Sequence, residues 1–434
     1  MTVGIIGTGI AGLRVAAELR ERGFTGRIVA WDGEGTTPYD RPPLSKHLFD
    51  AYHQPLAEQG LGDLAQLHVT VHAAVVAAVT PAADLAAHHH AAPSQPDIRA
   101  AGGWDVHVAE RKTLSGTDRD AFAPISTAGA GTEHVDTLVV ATGSRPRLTV
   151  PGAAPLYTLA MAEHLRSRIH AGTRVDIVGA GWIGTELSDS ISRRGAHVTV
   201  WERSPHVLGR AFHGAVDDLW RGWMDERHIT LHLGTVFPGA PADHVVIQAV
   251  GAEPALEFMP AGVDRSPHGA LAVDWCGRVL AAGKPVPGLY AAGDAAAVAD
   301  SGGWRSGGHW TQALADAQRV GADITGTEPP AFVNAPEVFS DQFGHSLGFI
   351  GEAPEGVAPE RDAPQDDALV LRWRRNGQVT GVLTVDAPHA LSRARRAMRR
   401  PLADLTQTPT PRSDRATPAP PVLTEPGYPQ TPVP

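Results

Sequence analysis

Near the amino terminus, an apolar run leads into a glycine-rich turn and then into a segment with helical periodicity. Residues 3–6 (VGII) have the continuous apolar pattern of a buried parallel strand. Residues 13–22 place leucine and alanine on one helical face, and a second apolar run, 27–31, ends at Asp32 and Glu34. The pattern predicts a strand, a glycine turn, a helix and a second strand followed by acidic residues.

The turn between the first strand and the helix, GTGIAG at 7–12, has the spacing of a dinucleotide-binding site. Gly7 permits a tight turn, Gly9 lets the backbone approach a pyrophosphate, and Gly12 lets the helix pack on its strand. Phosphates are favoured at the start of the helix, around Ala11, because the N–H groups there are free. One of the two acids after the second strand would hold a ribose. On this turn alone, a purely structural role remains an alternative.

The same pattern recurs about 170 residues later, which makes an accidental match hard to accept. A strand at 174–178 leads into the turn GAGWIG, a helical stretch and a strand at 198–201. The second candidate site comprises Gly179, Gly181, Trp182, Ile183, Gly184 and Glu202. Glu202 favours the free 2′-hydroxyl of NADH, whereas the neighbouring Arg203 leaves NADPH open. Two such units predict an α/β fold with two Rossmann-like dinucleotide-binding domains.

Length and composition narrow the class of protein. The chain has 434 residues, 42% of them hydrophobic, which predicts a globular protein of about three domains. Apolar runs are much shorter than the roughly 20 residues of a membrane helix, and the first strand begins at once, so we expect a cytoplasmic protein without a signal peptide. The single cysteine, Cys276, excludes a CxxC pair, and the net charge of −10 argues against a nucleic-acid binder.

A rigid segment, PYDRPPLSK at 38–46, follows the first unit. Its two consecutive prolines restrict the backbone, so Arg41 and Lys46 can be held at defined positions, although a proline-stiffened surface loop is the alternative. Together with the preceding glycine turn, this segment resembles the FAD-dependent ferredoxin reductase family of the pyridine nucleotide-disulfide oxidoreductase superfamily. The resemblance implies that the protein passes hydride from NADH to FAD. Single electrons would then pass to a ferredoxin-type iron–sulfur protein that serves a cytochrome P450 or a ring-hydroxylating oxygenase.

The resemblance also assigns residues to the FAD site. It implies that Arg41 and Lys46 lie against FAD, with Lys46 near the reactive edge of the flavin, and that Val76 touches the adenine. An ATG motif after a buried strand closes the first FAD segment, a later strand ends at an aspartate, and a helix begins at a tryptophan. The further FAD residues implied are Ala141, Thr142, Gly143, Arg145, Asp294 and Trp310. As a plain core residue, Trp310 has an alternative explanation.

For the NAD(H) site the resemblance implies three further residues. Glu186 would lie beside the nicotinamide, paired with Lys46, and these two are the predicted catalytic residues. Arg210 would contact the cofactor, and Gly251 would lie at the crossing back to the FAD domain. An exposed helix carboxylate is the alternative for Glu186.

We expect five regions along the chain. They are a first FAD-binding segment (1–147), an inserted NAD(H)-binding domain (148–252), a second FAD-binding segment (253–330), a C-terminal α+β domain (331–405) and a disordered Pro-rich tail (406–434). Between 81 and 132 the pattern is weak, and the histidines at 88–90 favour a solvated loop over a metal site. In the C-terminal domain, Phe339 takes the place of the family's tryptophan near the nicotinamide side of the flavin.

A cluster of arginines at 372–375 and 393–400 suggests a basic locus that would attract an acidic ferredoxin, although a solvated helix face is the alternative. We expect a monomer or weak dimer, no metal and no membrane partner. Two other functions stay open. An FAD-holding NADH oxidase would need a cysteine where the chain has Ser45. An interaction protein of the same fold with altered turnover is kept open by departures from the family pattern at Ala160, Met161 and Gly308.

Overall fold

The computed structural model describes residues 1–82, 98, 102–109, 131–300, 303–362 and 368–402. The predicted loop histidines at 88–90 and the predicted tail at 406–434 lie outside the described residues. All statements below refer to the described part of the chain.

The first unit forms as the apolar pattern predicts. Strand β1 (Thr2–Ile6) leads into helix α1 (Ile10–Glu21) and strand β2 (Arg27–Trp31), and the short helix α2 (Pro43–Lys46) follows. β1 pairs in parallel with β2, so that Ile6 lies opposite Trp31. Proline stands at the start of α2, where its missing N–H costs no helical hydrogen bond.

Nine described strands share the sheet that contains the first glycine turn. Besides β1 and β2 it contains β3 (Val69–His72), β7 (Thr137–Val140), β15 (Leu271–Val273), β16 (Arg278–Ala281), β17 (Lys284–Ala291), β18 (Ala296–Asp300) and β19 (Gly303–Ser306). The order of the strands is β19-β18-β15-β16-β17-β7-β1-β2-β3. Residues before 147 and after 253 therefore build one sheet. Helix α7 (Trp310–Thr325) packs beside α1 on one of its faces.

A small antiparallel sheet contains β4 (Val75–Pro81), β5 (Trp104–Ala109) and β6 (Thr132–Val135). Its apolar side chains join those of the nine-stranded sheet in one core, in which Trp31 and Trp104 are fully buried. Large aromatic side chains at this depth contribute much of the apolar burial that stabilises such a core.

The second unit forms an all-parallel sheet of five strands, ordered β12-β11-β10-β13-β9. Its strands are β9 (Ala154–Pro155), β10 (Arg174–Val178), β11 (His197–Trp201), β12 (Thr230–His232) and β13 (Val245–Gln248). Its helices are α3 (Leu159–Arg168), α4 (Trp182–Ser192), α5 (Gly209–Phe212) and α6 (Asp217–Glu226). The antiparallel pair β8 (Ser144–Pro146) and β14 (Ala252–Pro254) joins the two chain crossings between this sheet and the nine-stranded one.

The C-terminal part of the described chain is an antiparallel sheet, β21-β22-β25-β24-β23, with helix α8 (Pro388–Ala397) packed against it. Its strands are β21 (Glu337–Gln342), β22 (His345–Gly351), β23 (Glu360–Arg361), β24 (Leu369–Arg375) and β25 (Gln378–Val385). A short pair, β20 (Phe332–Val333) and β26 (Arg400–Pro401), brings the two ends of this region together. The aromatic core of the region is continuous with the second unit, since Phe212 stacks on Trp373.

The structure confirms the predicted fold class, an α/β architecture with two Rossmann-like units. The exact domain boundaries stay a prediction.

Candidate functional site

The first glycine turn is shaped by close backbone packing. Gly7 has φ +98°, and a Cβ at this position would overlap the carbonyl oxygen of Ala141. A Cβ at Gly12 would overlap the carbonyl oxygen of Gly7, so the start of α1 lies directly against β1. A Cβ at Gly9, in contrast, would meet no described atom within 4 Å. The helix therefore begins beside open space, without a side-chain cap on its first N–H groups.

The second glycine turn repeats this geometry. Gly179 has φ +109°, and its Cβ would overlap the carbonyl oxygen of Ala249. Gly184 packs on the carbonyl of Gly179, and a Cβ at Gly181 would meet no described atom within 4 Å. Helix α4 likewise begins without a side-chain cap. Both turns thus offer free helical N–H groups to a pyrophosphate.

The acids after the second strand of each unit hold backbone N–H groups. Asp32 accepts hydrogen bonds from the N–H groups of Glu34 (3.0 Å) and Thr36 (2.9 Å). Glu202 accepts from the N–H of Ser204 (2.7 Å) and from that of Ala180 (2.8 Å), inside the glycine turn. Glu202 is therefore directed toward the place where a bound nucleotide would lie.

Glu186 is the point at which three parts of the chain meet. It lies on α4, is buried, and accepts hydrogen bonds from Ser45 of α2 (2.5 Å) and Ser340 of β21 (2.5 Å). Gln342 donates to the Ser340 hydroxyl (2.9 Å), and Trp220 of α6 donates to Gln342 (3.2 Å). Burial raises the pKa of Glu186, and the nearby Lys46 charge and the two serine hydroxyls oppose that rise.

The predicted pairing of Lys46 with Glu186 takes the form of a charge interaction, and the hydrogen bond of Lys46 goes elsewhere. Lys46 Nζ donates to the carbonyl oxygen of Phe339 (2.8 Å) and lies 4.1 Å from the centre of the Phe339 ring. The two oxygens of Glu186 accept the hydroxyl groups of Ser45 and Ser340. Lys46 acts on Glu186 through its charge alone, and a cation–π contact supplies its second neighbour.

The Arg41 side chain lies between two tyrosines instead of projecting freely into the site. It forms an ion pair with Glu34 and donates to the carbonyl oxygen of Tyr157. Its guanidinium carbon lies 4.4 Å from the Tyr157 ring centre and 5.4 Å from that of Tyr39. Arg41 and Glu34, both predicted FAD residues, therefore neutralise each other in part.

Asp294 lies in the short turn after β17, three residues beyond the end of the strand and not at its end as predicted, and this turn and the start of α7 meet beside the first glycine turn. Asp294 accepts from the Ser144 hydroxyl (3.0 Å) and the Gly308 N–H (2.6 Å). Trp310 is the first residue of α7 and makes an edge contact with Phe339, with ring centres 6.2 Å apart. Phe339 is 38% exposed, with Lys46 over its ring and Trp310 in edge contact with it.

Four other predicted FAD residues lie around the same edge of the nine-stranded sheet. Ala141 is buried beside Gly7, and the Thr142 hydroxyl donates to the carbonyl oxygen of Ala255 (2.7 Å). A Cβ at Gly143 would lie 3.3 Å from the Tyr157 hydroxyl. Arg145 points away from this edge, toward Glu253 (2.9 Å) and Glu257 (2.8 Å). Its predicted contact with FAD stays a prediction.

Val76 lies on β4 and is buried in the same core as Trp31, at the end of β2. Its predicted contact with the adenine stays a prediction.

The remaining predicted NAD(H) residues divide between surface and core. Trp182 packs edge-on against Phe212, whereas Ile183 is 46% exposed on the first turn of α4. Arg203 and Arg210 are both exposed. Arg210 also lies near Gly251, since a Cβ there would be 3.9 Å from its guanidinium. The structure thus brings Arg210 close to Gly251. The Glu202 carboxylate is held by the N–H groups of Ala180 and Ser204, and Arg203 is not one of these partners.

Sequence reasoning misses the residues that connect the regions. Ser340 and Gln342 lie in the FSDQ segment, of which the resemblance gave a role only to Phe339, and Tyr157 belongs to no motif. The roles of all three depend on contacts between distant segments. Cys276 is partly buried, which raises its pKa to about 11, so its thiol is protonated at neutral pH.

The residues present fit two dinucleotides. Both glycine turns leave room where a Cβ would otherwise project, and α1, α4 and α7 all begin without a side-chain cap among the described residues. Helix starts of this kind favour anionic phosphates. The two turns are connected through Ser45, Glu186 and Ser340, which places the second turn's helix against the first unit.

Within the part of the chain that the structure describes, no helix combines the length and the apolar character needed to span a membrane.

The fold and site define a two-dinucleotide oxidoreductase of the Rossmann type. The chain belongs to the pyridine nucleotide-disulphide oxidoreductase family, whose model matches residues 1–317. It is 28% identical over 427 residues to the benzene 1,2-dioxygenase system ferredoxin–NAD(+) reductase subunit of Pseudomonas putida, with 91% of each chain covered. It is 27% identical over 429 residues to terpredoxin reductase of a Pseudomonas species, with 92% of each chain covered.

Among solved structures, the covalent putidaredoxin reductase–putidaredoxin complex matches with a TM-score of 0.74 at 22% identity, covering 92% of each chain. This likeness shows the fold. Together with the sequence relatives, it confirms the family resemblance predicted from the glycine turns and the PYDRPPLSK segment.

Proposed function

We propose that this protein is an FAD-dependent NADH:ferredoxin oxidoreductase that supplies single electrons to an iron–sulfur protein. The observation that carries the proposal is the convergence of α2, α4, α7 and β21 at Glu186, Lys46 and Phe339. This convergence supports two dinucleotide sites that open toward one space. The relatives named as ferredoxin–NAD(+) reductase and terpredoxin reductase support the same function.

The first unit would hold FAD and the second NAD(H). Bound FAD supplies the conversion between a two-electron hydride donor and a one-electron acceptor, which an iron–sulfur protein requires. The free N–H groups at the starts of α1 and α4 would bind the two pyrophosphates. Glu202 would hold the ribose diol of NADH, because its carboxylate already reaches the glycine turn.

Lys46 and Phe339 would shape the space between the cofactors. The Lys46 ammonium is buried, fixed on a carbonyl oxygen and placed over an aromatic ring. A positioned cation in a site with little water stabilises negative charge that develops nearby. Phe339 and the exposed Ile183 are apolar side chains that would exclude water from the same space.

The direct test is cofactor binding followed by electron transfer. Purified protein should bind one FAD per chain, NADH should bleach the flavin absorbance, and a [2Fe–2S] ferredoxin should be reduced in a coupled assay. Protein that FAD cannot reconstitute would overturn the proposal. Rapid oxygen consumption without ferredoxin reduction would favour the NADH oxidase alternative.

Lys46→Ala supplies a sharper test of the space between the cofactors. We expect FAD to stay bound while NADH bleaches the flavin at least about tenfold more slowly, since a positioned charge typically contributes more than 1.4 kcal/mol to such a step. Lys284→Ala is the matched control, because Lys284 is exposed at the far end of β17. Unchanged bleaching in Lys46→Ala would remove this lysine from the site.

The predicted basic region comprises arginines of β24 and α8, and the proposal keeps only those without an ion pair among the described residues. Arg395 is paired with Glu337, Arg372 with Asp362, and Arg374 with Glu360 (3.0 Å), so these charges are partly neutralised. Arg393 and Arg396 are exposed on α8.

We infer that these two arginines attract an acidic ferredoxin. Arg393→Glu with Arg396→Glu should then raise the KM for ferredoxin and weaken its dependence on salt. The same kind of substitution at the exposed Arg168 of α3 should leave the KM and its salt dependence unchanged.

A cytoplasmic location and a monomeric or weakly dimeric state also belong to this proposal.

A further inference from the structure

Helix α7 contains two buried charged residues that no motif explains. Asp316 and Arg319 are 6% and 3% exposed, and they form an ion pair one turn apart on the helix. Among the described residues, Nε and Nη1 of Arg319 are buried without a hydrogen-bond partner. A buried ion pair with unsatisfied N–H groups is often no more stabilising than a pair of apolar side chains of similar size. Its presence therefore points to a role other than stability.

The contacts of Asp316 indicate that role. One carboxylate oxygen accepts from Gln312 (2.6 Å) and from Arg319. The other accepts the backbone N–H of Gly293 (3.0 Å), the residue directly before Asp294. Asp316 thus connects the middle of α7 to the turn that presents Asp294.

The turn that Asp316 holds lies against the first dinucleotide unit. Gly293 has φ +68°, and a Cβ at this position would be 3.0 Å from the Cβ of Ala11, at the start of α1. The Asp294 carboxylate is in turn fixed by Ser144 and by the N–H of Gly308. A shift of this turn would change the position of Asp294 relative to the free N–H groups of α1.

Arg319 has a specific part in this arrangement. Burial raises the pKa of Asp316, and the charge of Arg319 opposes that rise more than any other neighbour does. The Arg319 guanidinium also lies 5.7 Å from the ring centre of Trp275, a buried residue of the same region. Arg319 is therefore fixed in place, and it favours the charged form of Asp316, which is the better acceptor.

We propose that Asp316, supported by Arg319, is a positioning residue that fixes the Gly293–Asp294 turn against α1 and thereby sets the affinity of the protein for FAD. The proposal rests on the FAD-binding function proposed above. It assigns cofactor affinity to a helix position with no direct contact to the glycine turn itself.

The test compares two full-length double variants that differ only in the hydrogen-bond acceptor offered to Gly293. Asp316→Leu with Arg319→Met removes the acceptor and both charges, and Asp316→Asn with Arg319→Met keeps an acceptor oxygen. We expect the dissociation constant for FAD, measured by flavin fluorescence after removal and titration of the cofactor, to rise about tenfold in the first variant. The second variant should stay within about twofold of the wild type. Such a difference is what the loss of one buried hydrogen bond produces.

Asp323→Asn is the matched control. Asp323 lies on the same helix and accepts from the Tyr290 hydroxyl of β17 (2.9 Å), away from the turn. It should leave FAD affinity unchanged. Equal FAD affinity in the two folded double variants would overturn the inference, whereas a wild-type protein without FAD affinity would overturn the proposed function.

A measurement on the wild type keeps the inference open to disproof if the leucine variant does not fold. In the FAD-free full chain, the amide of Gly293 should exchange with deuterium as slowly as the amides of β17, because Asp316 accepts its hydrogen bond. Rapid exchange of this amide in folded protein would overturn the inference.

Discussion

The two dinucleotide units of this chain share their backbone geometry and differ in the side chains that their helices carry. In both, a glycine N–H bonds to a tryptophan carbonyl oxygen at the end of the neighbouring strand, Gly7 to Trp31 (2.9 Å) and Gly179 to Trp201 (2.8 Å). In both, the acid that follows the tryptophan bonds through its N–H to a histidine carbonyl. The common geometry follows from close packing of backbone on backbone, which leaves little choice of residue.

The acids show where the units diverge. Asp32 and Glu202 both accept the N–H of the residue two positions later. The extra methylene of Glu202 lets its second oxygen reach Ala180 in the glycine turn, whereas the second oxygen of Asp32 binds Thr36 in its own loop. The length of one side chain therefore decides whether the acid contacts the turn.

The helices diverge further. Two residues after the last turn glycine, α1 carries Arg14, which binds Glu18 (2.6 Å) and Glu21 (3.2 Å) of the same helix. The corresponding residue of α4 is Glu186, which binds Ser45 and Ser340 from other parts of the chain. One helix satisfies its charge locally, and the other uses its charge to connect three regions.

Substitutions at the equivalent glycines of the two turns should have the largest effect on stability. Gly184→Ala should lower the unfolding free energy by about 1–3 kcal/mol, because the added methyl overlaps the carbonyl of Gly179. Gly181→Ala should change stability much less, since its methyl meets open space, yet it should weaken NADH binding. Urea unfolding and NADH titration measure both effects. In the first turn, Gly12→Ala should destabilise the fold and Gly9→Ala should mainly weaken FAD binding. If the two substitutions in one turn lowered stability equally, the two turns would not be equivalent.

The contrast between Glu186 and Arg14 predicts a difference in stability. Ser340→Ala leaves a buried carboxylate oxygen without one donor, which costs about 1–3 kcal/mol. Glu21→Ala on α1 should cost less than about 1 kcal/mol, because Glu21 is exposed. Urea unfolding at pH 7 compares them, and an equal cost would mean that Glu186 is no more than a local helix contact.

The pH dependence of the Ser340→Ala effect sharpens this point. The pKa of Glu186 is raised in the folded protein, so its contribution to stability is fullest below pH 4.5, its ordinary pKa, and is lost as pH rises through the folded value. The serine donor matters most for the charged carboxylate. We therefore expect a larger loss of stability at pH 8 than at pH 5, measured by urea unfolding at each pH. A loss that does not change with pH would argue against an ionised Glu186.

The difference between the acids predicts a smaller effect on binding. Glu202→Asp should lose the bond to the Ala180 N–H and take up the arrangement of Asp32. We expect NADH affinity to fall about fivefold, which corresponds to one hydrogen bond of about 1 kcal/mol. Quenching of tryptophan fluorescence by NADH is the measurement. An unchanged dissociation constant would show that contact with the turn does not matter for binding.

Arg203 should have the smallest effect. It is exposed, whereas Glu202 is bound to the backbone on both sides. Arg203→Ala should change the ratio of NADH to NADPH affinity by less than about twofold, because an exposed charge contributes little. A loss of NADPH binding by tenfold or more would assign Arg203 to the 2′-phosphate and reverse the cofactor preference that Glu202 indicates.

Much of the fold and the outline of the site follow from local patterns in the chain. The apolar runs, the glycines at 7–12 and 179–184 and the acids after β2 and β11 predict both units, because strands, turns and helix starts depend on neighbouring residues. The resemblance of PYDRPPLSK adds Lys46 and the family. Local patterns also placed Glu186 on the right helix.

The partners of these residues could not be predicted in the same way. Glu186 was expected to pair with Lys46, yet its oxygens are taken by Ser45 and by Ser340, which lies 154 residues further along the chain. The bond from Asp316 to the Gly293 N–H has the same character. A hydrogen bond between distant segments depends on how several elements pack to within a fraction of an ångström. Periodicity and spacing contain no information at that level, so these contacts are defined by the folded chain as a whole.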